Sequence, residues 1–236
     1  MKLIHHGAHE GVTGSCHQLS WARKKSLLVD CGIFQGDDAK KKPNPEIEFS
    51  LEGIECLLLT HVHIDHVGRM PYLLAAGFDR PIYCSQPTAR LLPLVMEDAL
   101  RIGFTRSRNL IKKFLHHIGK LLRPLPYGEW TVIEDGVKIR LHPAGHVLGS
   151  TIFDVDLPSG ERVVFSGDVG TGCDPLLRKP VPPEKADLLV LESTYGDRLH
   201  ESPENRQEML EKVLRRTLHD RGVTIIPAFS LGRTQA

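Results

Sequence analysis

The sequence predicts an α/β fold, and three observations carry that expectation. Short apolar runs, Leu27-Leu28-Val29, Leu57-Leu58-Leu59 and Leu188-Leu189-Val190-Leu191, read as buried strands, and each runs into polar or acidic residues. Residues 88–102 and 107–122 instead repeat apolar side chains at helical spacing. From Trp130 to Phe165 the pattern changes to short strands punctuated by turn residues.

Residues 2–7 read as a short strand, and 11–16 as a glycine-rich turn into a second. The polar segment 21–26 leads to a buried strand over 27–32, with Asp30 near its end. Residues 37–45, with Lys40, Lys41, Lys42, Pro43 and Pro45, mark an exposed loop. A strand is expected over 54–60. The segment 67–74 resembles the first turns of a helix with Gly77 near its end, and 81–84 another strand.

The next helix covers 88–102, where Pro93 bends it or marks its first turn. Another covers 107–122, with Ile111, Leu115, Ile118 and Leu122 on one face. Strands over 137–141, 150–157 and 163–165 follow, separated by Pro143 to Gly149 and by Pro158-Ser159-Gly160. The run 188–191 is a strand ending at Glu192. Ser202-Pro203 caps a helix over 203–221 whose core face is Leu210, Val213, Leu214 and Leu218; Gly222 ends it, and 223–227 is again a strand.

A chain of 236 residues can bury a sizeable core as one large domain or two small ones. Its composition is that of a soluble globular protein, and a formal net charge of +1 selects no class of partner. No stretch approaches the roughly 18 apolar residues that cross a membrane, and Met1 to His6 lacks the apolar centre of a signal peptide. A cytoplasmic protein without membrane contact is therefore expected. Cys16, Cys31, Cys56, Cys84 and Cys173 form no C-x-x-C pair and read as reduced, buried thiols.

The densest chemistry follows the 57–59 strand: Thr60-His61-Val62-His63-Ile64-Asp65-His66. Neutral imidazoles and carboxylates are ligands for a divalent metal. His61 and His63, two apart in extended chain, can point the same way, while Asp65 and His66, past the turn, can reach a second ion. Downstream, His146 and Asp168 each sit at a strand end among glycines that let the backbone turn sharply. A carboxylate between two cations can bridge them, and a strand-end Asp30 is placed to orient a metal-bound histidine. His5, His6, His9 and His17 lack ligand spacing and read as structural or surface residues; the adjacent His116 and His117 point in different directions along a helix. Residues 101–123 carry seven Lys or Arg and no acid. A solvated helix face is the plainer reading, but the absence of acids makes this the best candidate for contact with a phosphate backbone.

Asp30, the His61-x-His63-x-Asp65-His66 cluster, His146 and Asp168 together resemble the ordered motifs of the metallo-β-lactamase fold. Val12 to Cys16, Glu192-Ser-Thr-Tyr-Gly-Asp197 and Pro227 to Gln235 resemble its β-CASP branch, the RNA-processing nucleases related to the cleavage-and-polyadenylation endonuclease and RNase J. The resemblance implies an αβ/βα sandwich with two zinc ions at one edge of the sheets. His61, His63 and His146 would bind one zinc, Asp65 and His66 the other, and Asp168 would bridge them. Asp30 would support the ligands from behind, Asp65 would accept a proton from the attacking water, and Glu192 would stand beside the site. The implied activity is hydrolysis of phosphodiester bonds in single-stranded RNA. Arg101, Arg106, Arg108, Lys112, Lys113 and Lys120, with Arg233, would guide the RNA.

In that family the β-CASP domain is inserted and the chain then returns to complete the sandwich, bringing a further histidine to the second zinc. This sequence stops about where the insertion begins. Residues 1–200 are accordingly expected to be the N-terminal part of the lactamase-like domain, and 201–236 the truncated start of the β-CASP domain. An incomplete sandwich should hold its second zinc weakly and expose apolar surface that favours a homodimer or other self-association. Two rival readings are a metallo-hydrolase of a small thioester, lactone or lactam, and a catalytically incomplete RNA-binding subunit.

Overall fold

The computed structural model describes residues 1–172, 174, 176–199 and 203–228. They divide into two units, Met1–Glu192 and Ser193–Ala236.

The first unit opens with strands β1 (Lys2–Gly7), β2 (Cys16–Ala22) and β3 (Lys25–Val29), an antiparallel meander joined by short connections. Each later strand of this sheet is parallel to the one before it, and a parallel pair needs a crossover rather than a tight turn. A loop containing helix α1 (Gly36–Lys41) leads to β4 (Ile54–Leu58). Helices α2 (Ile64–Val67) and α3 (Met70–Ala75) lead to β5 (Ile82–Ser85). Helices α4 (Gln86–Gly103) and α5 (Arg108–Leu121) lead to β6 (Leu122–Leu125), which closes a six-stranded sheet of order β1-β2-β3-β4-β5-β6.

The second sheet has five strands. Strands β7 (Thr131–Val132), β8 (Lys138–Pro143), β9 (Thr151–Asp156) and β10 (Arg162–Phe165) pair antiparallel in succession, and β11 (Leu188–Val190) lies parallel to β10.

Alternation along the strands explains how the two sheets meet. Leu19, Leu27, Val29, Cys56 and Leu58 of the first sheet share one buried cluster with Ile139, Leu141, Phe153, Val155, Val163 and Phe165 of the second. The intervening Leu28 and Leu57 point to the opposite face, on the side where α4 packs against β5 and β6. The Ser85 hydroxyl caps α4 by accepting the Thr88 N–H at 3.2 Å, and the Ser107 hydroxyl caps α5 through Leu110. Leu92, Met96 and Leu100 of α4 and Ile111, Ile118 and Leu121 of α5 form their buried faces.

Several expectations are corrected. Residues 37–45 are not all loop, because α1 is held by the Asp38 carboxylate, which accepts the N–H groups of Val12 and Thr13 at 3.0 Å each. The helix expected from residue 67 divides at Gly68-Arg69 into α2 and α3. The α4 helix begins at Gln86, so Pro93 lies in its interior and not in its first turn. Leu122 belongs not to the face of α5 but to β6, where it pairs with Ile82.

In the second unit, α6 (Pro203–His219) forms as expected, but its intended core face is exposed: Leu210 49%, Val213 48%, Leu214 43% and Leu218 80%. Residues 223–227 are not a strand, since among the described residues no neighbour supplies the hydrogen bonds a strand requires. Ser202 and residues 229–236 lie outside the described residues. Cys16, Cys31, Cys56 and Cys84 are free and buried; Cys173 is also outside the description. Among the described residues no helix is long and apolar enough to cross a membrane.

Candidate metal centre

Strands β3 and β4 are parallel, so their ends emerge at the same edge of the sheet. The chain after β3 reverses at Asp30, which takes a left-handed backbone conformation of φ 59° that an aspartate tolerates better than most residues. The chain after β4 then threads beside it. Cys31 N–H donates to the His66 carbonyl at 2.8 Å, Ile33 N–H to Ile64 at 3.1 Å and Ser15 N–H to Asp65 at 2.9 Å. Gly32 lies so close beneath the Asp65 carbonyl that any Cβ there would overlap it. The second sheet is tied in by the Thr151 N–H, which donates to the Thr60 carbonyl at 2.9 Å.

One donor atom from each of His61, His63, His146 and Asp168 falls within 4.8 Å of the others. Asp168 divides its two oxygens. Its Oδ2 lies 3.4 Å from His146 Nε2 and 3.7 Å from His61 Nε2, while Oδ1 lies 3.1 Å from His66 Nε2. Asp65 Oδ2 approaches the same His66 nitrogen at 3.9 Å. His61 is fully buried, and its Nε2 has no hydrogen-bond partner among the described residues. A buried nitrogen of that kind is costly unless a ligand meets it, so the donor set fits a divalent cation.

Behind the donors stands a residue that the spacing of the motif did not single out. The Thr60 hydroxyl donates to Asp30 Oδ2 at 2.8 Å, and the Thr60 N–H donates to Asp30 Oδ1 at 2.8 Å. With its hydrogen so committed, the Thr60 oxygen accepts from His61 Nδ1 at 3.1 Å, which leaves the Nε2 lone pair facing the centre. Asp30 also accepts from His66 Nδ1 at 2.7 Å, which aims His66 Nε2 in the same way. The only sequence signal for Thr60 was a polar residue between an apolar strand and the first histidine.

The other two loops are equally braced. Ser150 Oγ accepts the N–H groups of His146 and Val147 at 3.0 and 3.2 Å. Glu192 Oε1 accepts the N–H of Val169 at 3.0 Å, next to Asp168, while the Glu192 N–H donates to Ser166 Oγ at 3.0 Å. Glu192 thus holds the Asp168 loop. Gly170 donates its N–H to the Ala144 carbonyl at 2.9 Å, and a Cβ on it would overlap the Gly145 carbonyl. Gly170→Ala is therefore expected to spread the Asp168 and His146 loops, cost about 1–3 kcal/mol and weaken metal binding. Denaturant unfolding with metal titration checks this, and an unchanged midpoint and affinity would count against it.

The electrostatics suit a cation. Burial, reinforced by neighbouring imidazoles, holds His61 well below the ordinary histidine value, and burial with His146 beside it brings His63 to about 4. Burial also lowers His146. These rings keep neutral nitrogens at neutral pH, as ligands must. Burial opposes charge on His66, but the Asp30 and Asp168 carboxylates outweigh it and raise that ring well above its usual value. The proton there marks where positive charge is demanded. Burial pushes Asp65 up, while for Asp168 the hydrogen bond and charge of His66 overcome burial and pull it down.

The basic residues belong to α4, α5 and the segment between them. Thr88, in the first turn of α4, donates to the Gly149 carbonyl at 3.0 Å beside the His146 loop. At roughly 1.5 Å rise per residue, Arg101 is about 20 Å farther along the helix axis. Arg101 pairs with Glu97, and Arg106, Arg108, Lys112, Lys113 and Lys120 are exposed with no ion pair among the described residues. Arg233 lies outside the described residues. His17, expected to be structural, is buried beside the centre's support, 3.3 Å from Ser15 Oγ.

Comparison with known proteins accords with this geometry. The chain is 38% identical over 239 residues to a ribonuclease of Thermus thermophilus, a match covering 100% of this chain and 53% of that protein. It is 36% identical over 234 residues to the transcription termination factor FttA of Methanococcus maripaludis, covering 95% of this chain and 36% of the relative. To the endoribonuclease YSH1 of Kluyveromyces lactis it is 29% identical over 240 residues, covering 97% and 31%. The chain thus spans about half or less of the length of these relatives. A crystal structure of a protein of unknown function from Enterococcus faecalis shares the fold with a TM-score of 0.58 at 14% identity, over 92% of this chain and 57% of that one. Residues 19–222 match the family described as the metallo-beta-lactamase superfamily, and since that match covers most of the chain and every donor of the centre, the chain belongs to that superfamily.

Proposed function

We propose that this chain carries the metal centre of a β-CASP ribonuclease that hydrolyses phosphodiester bonds in single-stranded RNA. The observation that carries the proposal is the division of Asp168: one oxygen faces His61 and His146, the other faces His66. A carboxylate so divided suits two cations, with His61, His63 and His146 around one and Asp65 and His66 around the other. Nitrogen and oxygen donors of this kind favour zinc. When bound, such ions supply Lewis acidity that activates water and neutralises phosphoryl charge.

The chain's own residues would do the rest. Thr60 and Asp30 keep lone pairs directed inward, and Glu192 fixes the loop of Asp168. Asp65, whose carboxyl is raised by burial, is the group best suited to accept a proton from water. The names of the relatives, a ribonuclease and an endoribonuclease, support RNA as substrate. On this reading residues 1–200 belong to the lactamase-like domain and 201–236 to the start of the β-CASP domain.

The experiment is elemental analysis of protein purified without chelator, paired with cleavage of an end-labelled RNA. His63→Ala should lower metal content and abolish cleavage while circular dichroism stays unchanged. Cleavage at the unaltered rate in that variant would overturn the assignment.

A further inference from the structure

A cavity of about 510 Å3 borders the His146 loop. Gly145 and Val147, the immediate neighbours of His146, form one wall; Tyr127, Leu125 and Pro126 form another. The first turn of α4 and residues 176–178 complete it. Its size is that of a small-ligand site, and its lining is largely apolar. Arg178 is the sole charged side chain among the described lining residues, and no acid lines it. Leu148 and Leu176, both on the lining, are 52% and 61% exposed, so the apolar rim is open to solvent.

Tyr127 is held in a fixed orientation, because its hydroxyl donates to the Ser150 carbonyl at 3.2 Å, and Ser150 in turn braces the His146 backbone. The guanidinium of Arg178 lies over the Tyr127 ring, 5.9 Å from its centroid. A fixed aromatic face, a planar cation, apolar walls and no acid together select a flat uncharged ring joined to an anionic group. The side-chain amide of Gln86, at the start of α4, adds a donor and an acceptor that can meet a ring edge.

We propose that this cavity binds one nucleotide of the RNA strand, its base against Tyr127 and its phosphate at Arg178. The inference rests on the ribonuclease reading for its choice of ligand. Gly145 and Val147 on the cavity wall flank His146, so the cavity and the metal centre share one loop. The bound nucleotide would set the strand's register through a base contact, which exposed lysines and arginines that meet only the phosphate backbone do not make.

The test uses the metal-loaded protein and a cleavage-resistant phosphorothioate oligoribonucleotide carrying 2-aminopurine. Stacking quenches this base, and anisotropy reports affinity. Tyr127→Leu, which keeps apolar volume but removes the stacking face, should abolish the quenching and weaken binding at least about fivefold. Arg178→Gln should keep the quenching yet weaken binding and flatten its salt dependence. Quenching and affinity equal to those of the unaltered chain in both variants would overturn the proposal, as would binding of an abasic strand as tightly as the intact one. Hydrolysis of bis(4-nitrophenyl) phosphate by the unaltered protein is measured separately. Failure there with the binding pattern intact removes the hydrolase reading but leaves the nucleotide site; hydrolysis with no variant effect on binding does the reverse.

Discussion

Asp168→Asn is expected to reduce phosphodiester hydrolysis by about a thousandfold or more, equivalent to roughly 4 kcal/mol of transition-state stabilisation. The substitution is nearly isosteric, so its effect comes from charge and donor type. In the native chain both carboxylate oxygens face imidazole nitrogens, at 3.1 Å on one side and 3.4 and 3.7 Å on the other. An amide can offer its oxygen to only one side and turns N–H groups toward the other. On the two-cation reading proposed above, the anion shared by the two ions is also lost. Bound metal should fall by about one ion per chain, while the midpoint of chelator-treated protein stays close to the unaltered value because the Asp168 side chain is 26% exposed and outside the core. Kinetics and metal content on the same preparation decide the matter. Hydrolysis within tenfold of the unaltered rate would remove Asp168 from its bridging role.

The part of this centre visible in sequence is the part governed by local rules. An apolar run ending in His61, or in Asp30, can be read from the order of residues because a buried strand must end where polar side chains begin. His146 and Asp168 stood out among glycines that allow sharp turns, and Gly145 and Gly167 do take positive φ of 69° and 52°. Tertiary relations stayed hidden. Strand β6 contains Pro124 and exists because Leu122–Leu125 find the edge of β5. Periodicity identifies α4 and α5 as helices but carries no information about which end approaches the metal. The basic cluster was therefore legible as a cluster, but not its position relative to the metal centre. The exposed leucines of α6 show the same limit, since an amphipathic pattern states that a face seeks cover and not what covers it. The roles of Thr60 and Ser150 depend on partners 30 residues away or on a neighbouring turn, which no residue type alone announces.

Asp30 should separate stability from metal binding when two replacements are compared. Its buried carboxylate accepts from Thr60 N–H, Thr60 Oγ1 and His66 Nδ1 at 2.7–2.8 Å, with Ser15 Oγ at 3.4 Å. Asp30→Ala leaves those donors without an acceptor, each costing about 1–3 kcal/mol when buried, so a total loss of about 3–5 kcal/mol is expected after partial relaxation. Alanine is also less tolerant of the φ of 59° at this position. Asp30→Asn keeps the shape and half of the acceptors, and should cost only about 1–2 kcal/mol. Whichever way the amide turns, however, its NH2 meets a donor. If that donor is His66 Nδ1–H, the neutral ring must carry its proton on Nε2, and the lone pair that a metal ion would take up is lost. The asparagine variant is thus expected to fold yet bind metal about 10- to 100-fold more weakly. Denaturant midpoints rank the two variants for stability, and metal titration of Asp30→Asn isolates the tautomer effect. Native metal affinity in Asp30→Asn would mean that His66 is aimed by packing alone, and that the carboxylate behind it serves the fold rather than the centre.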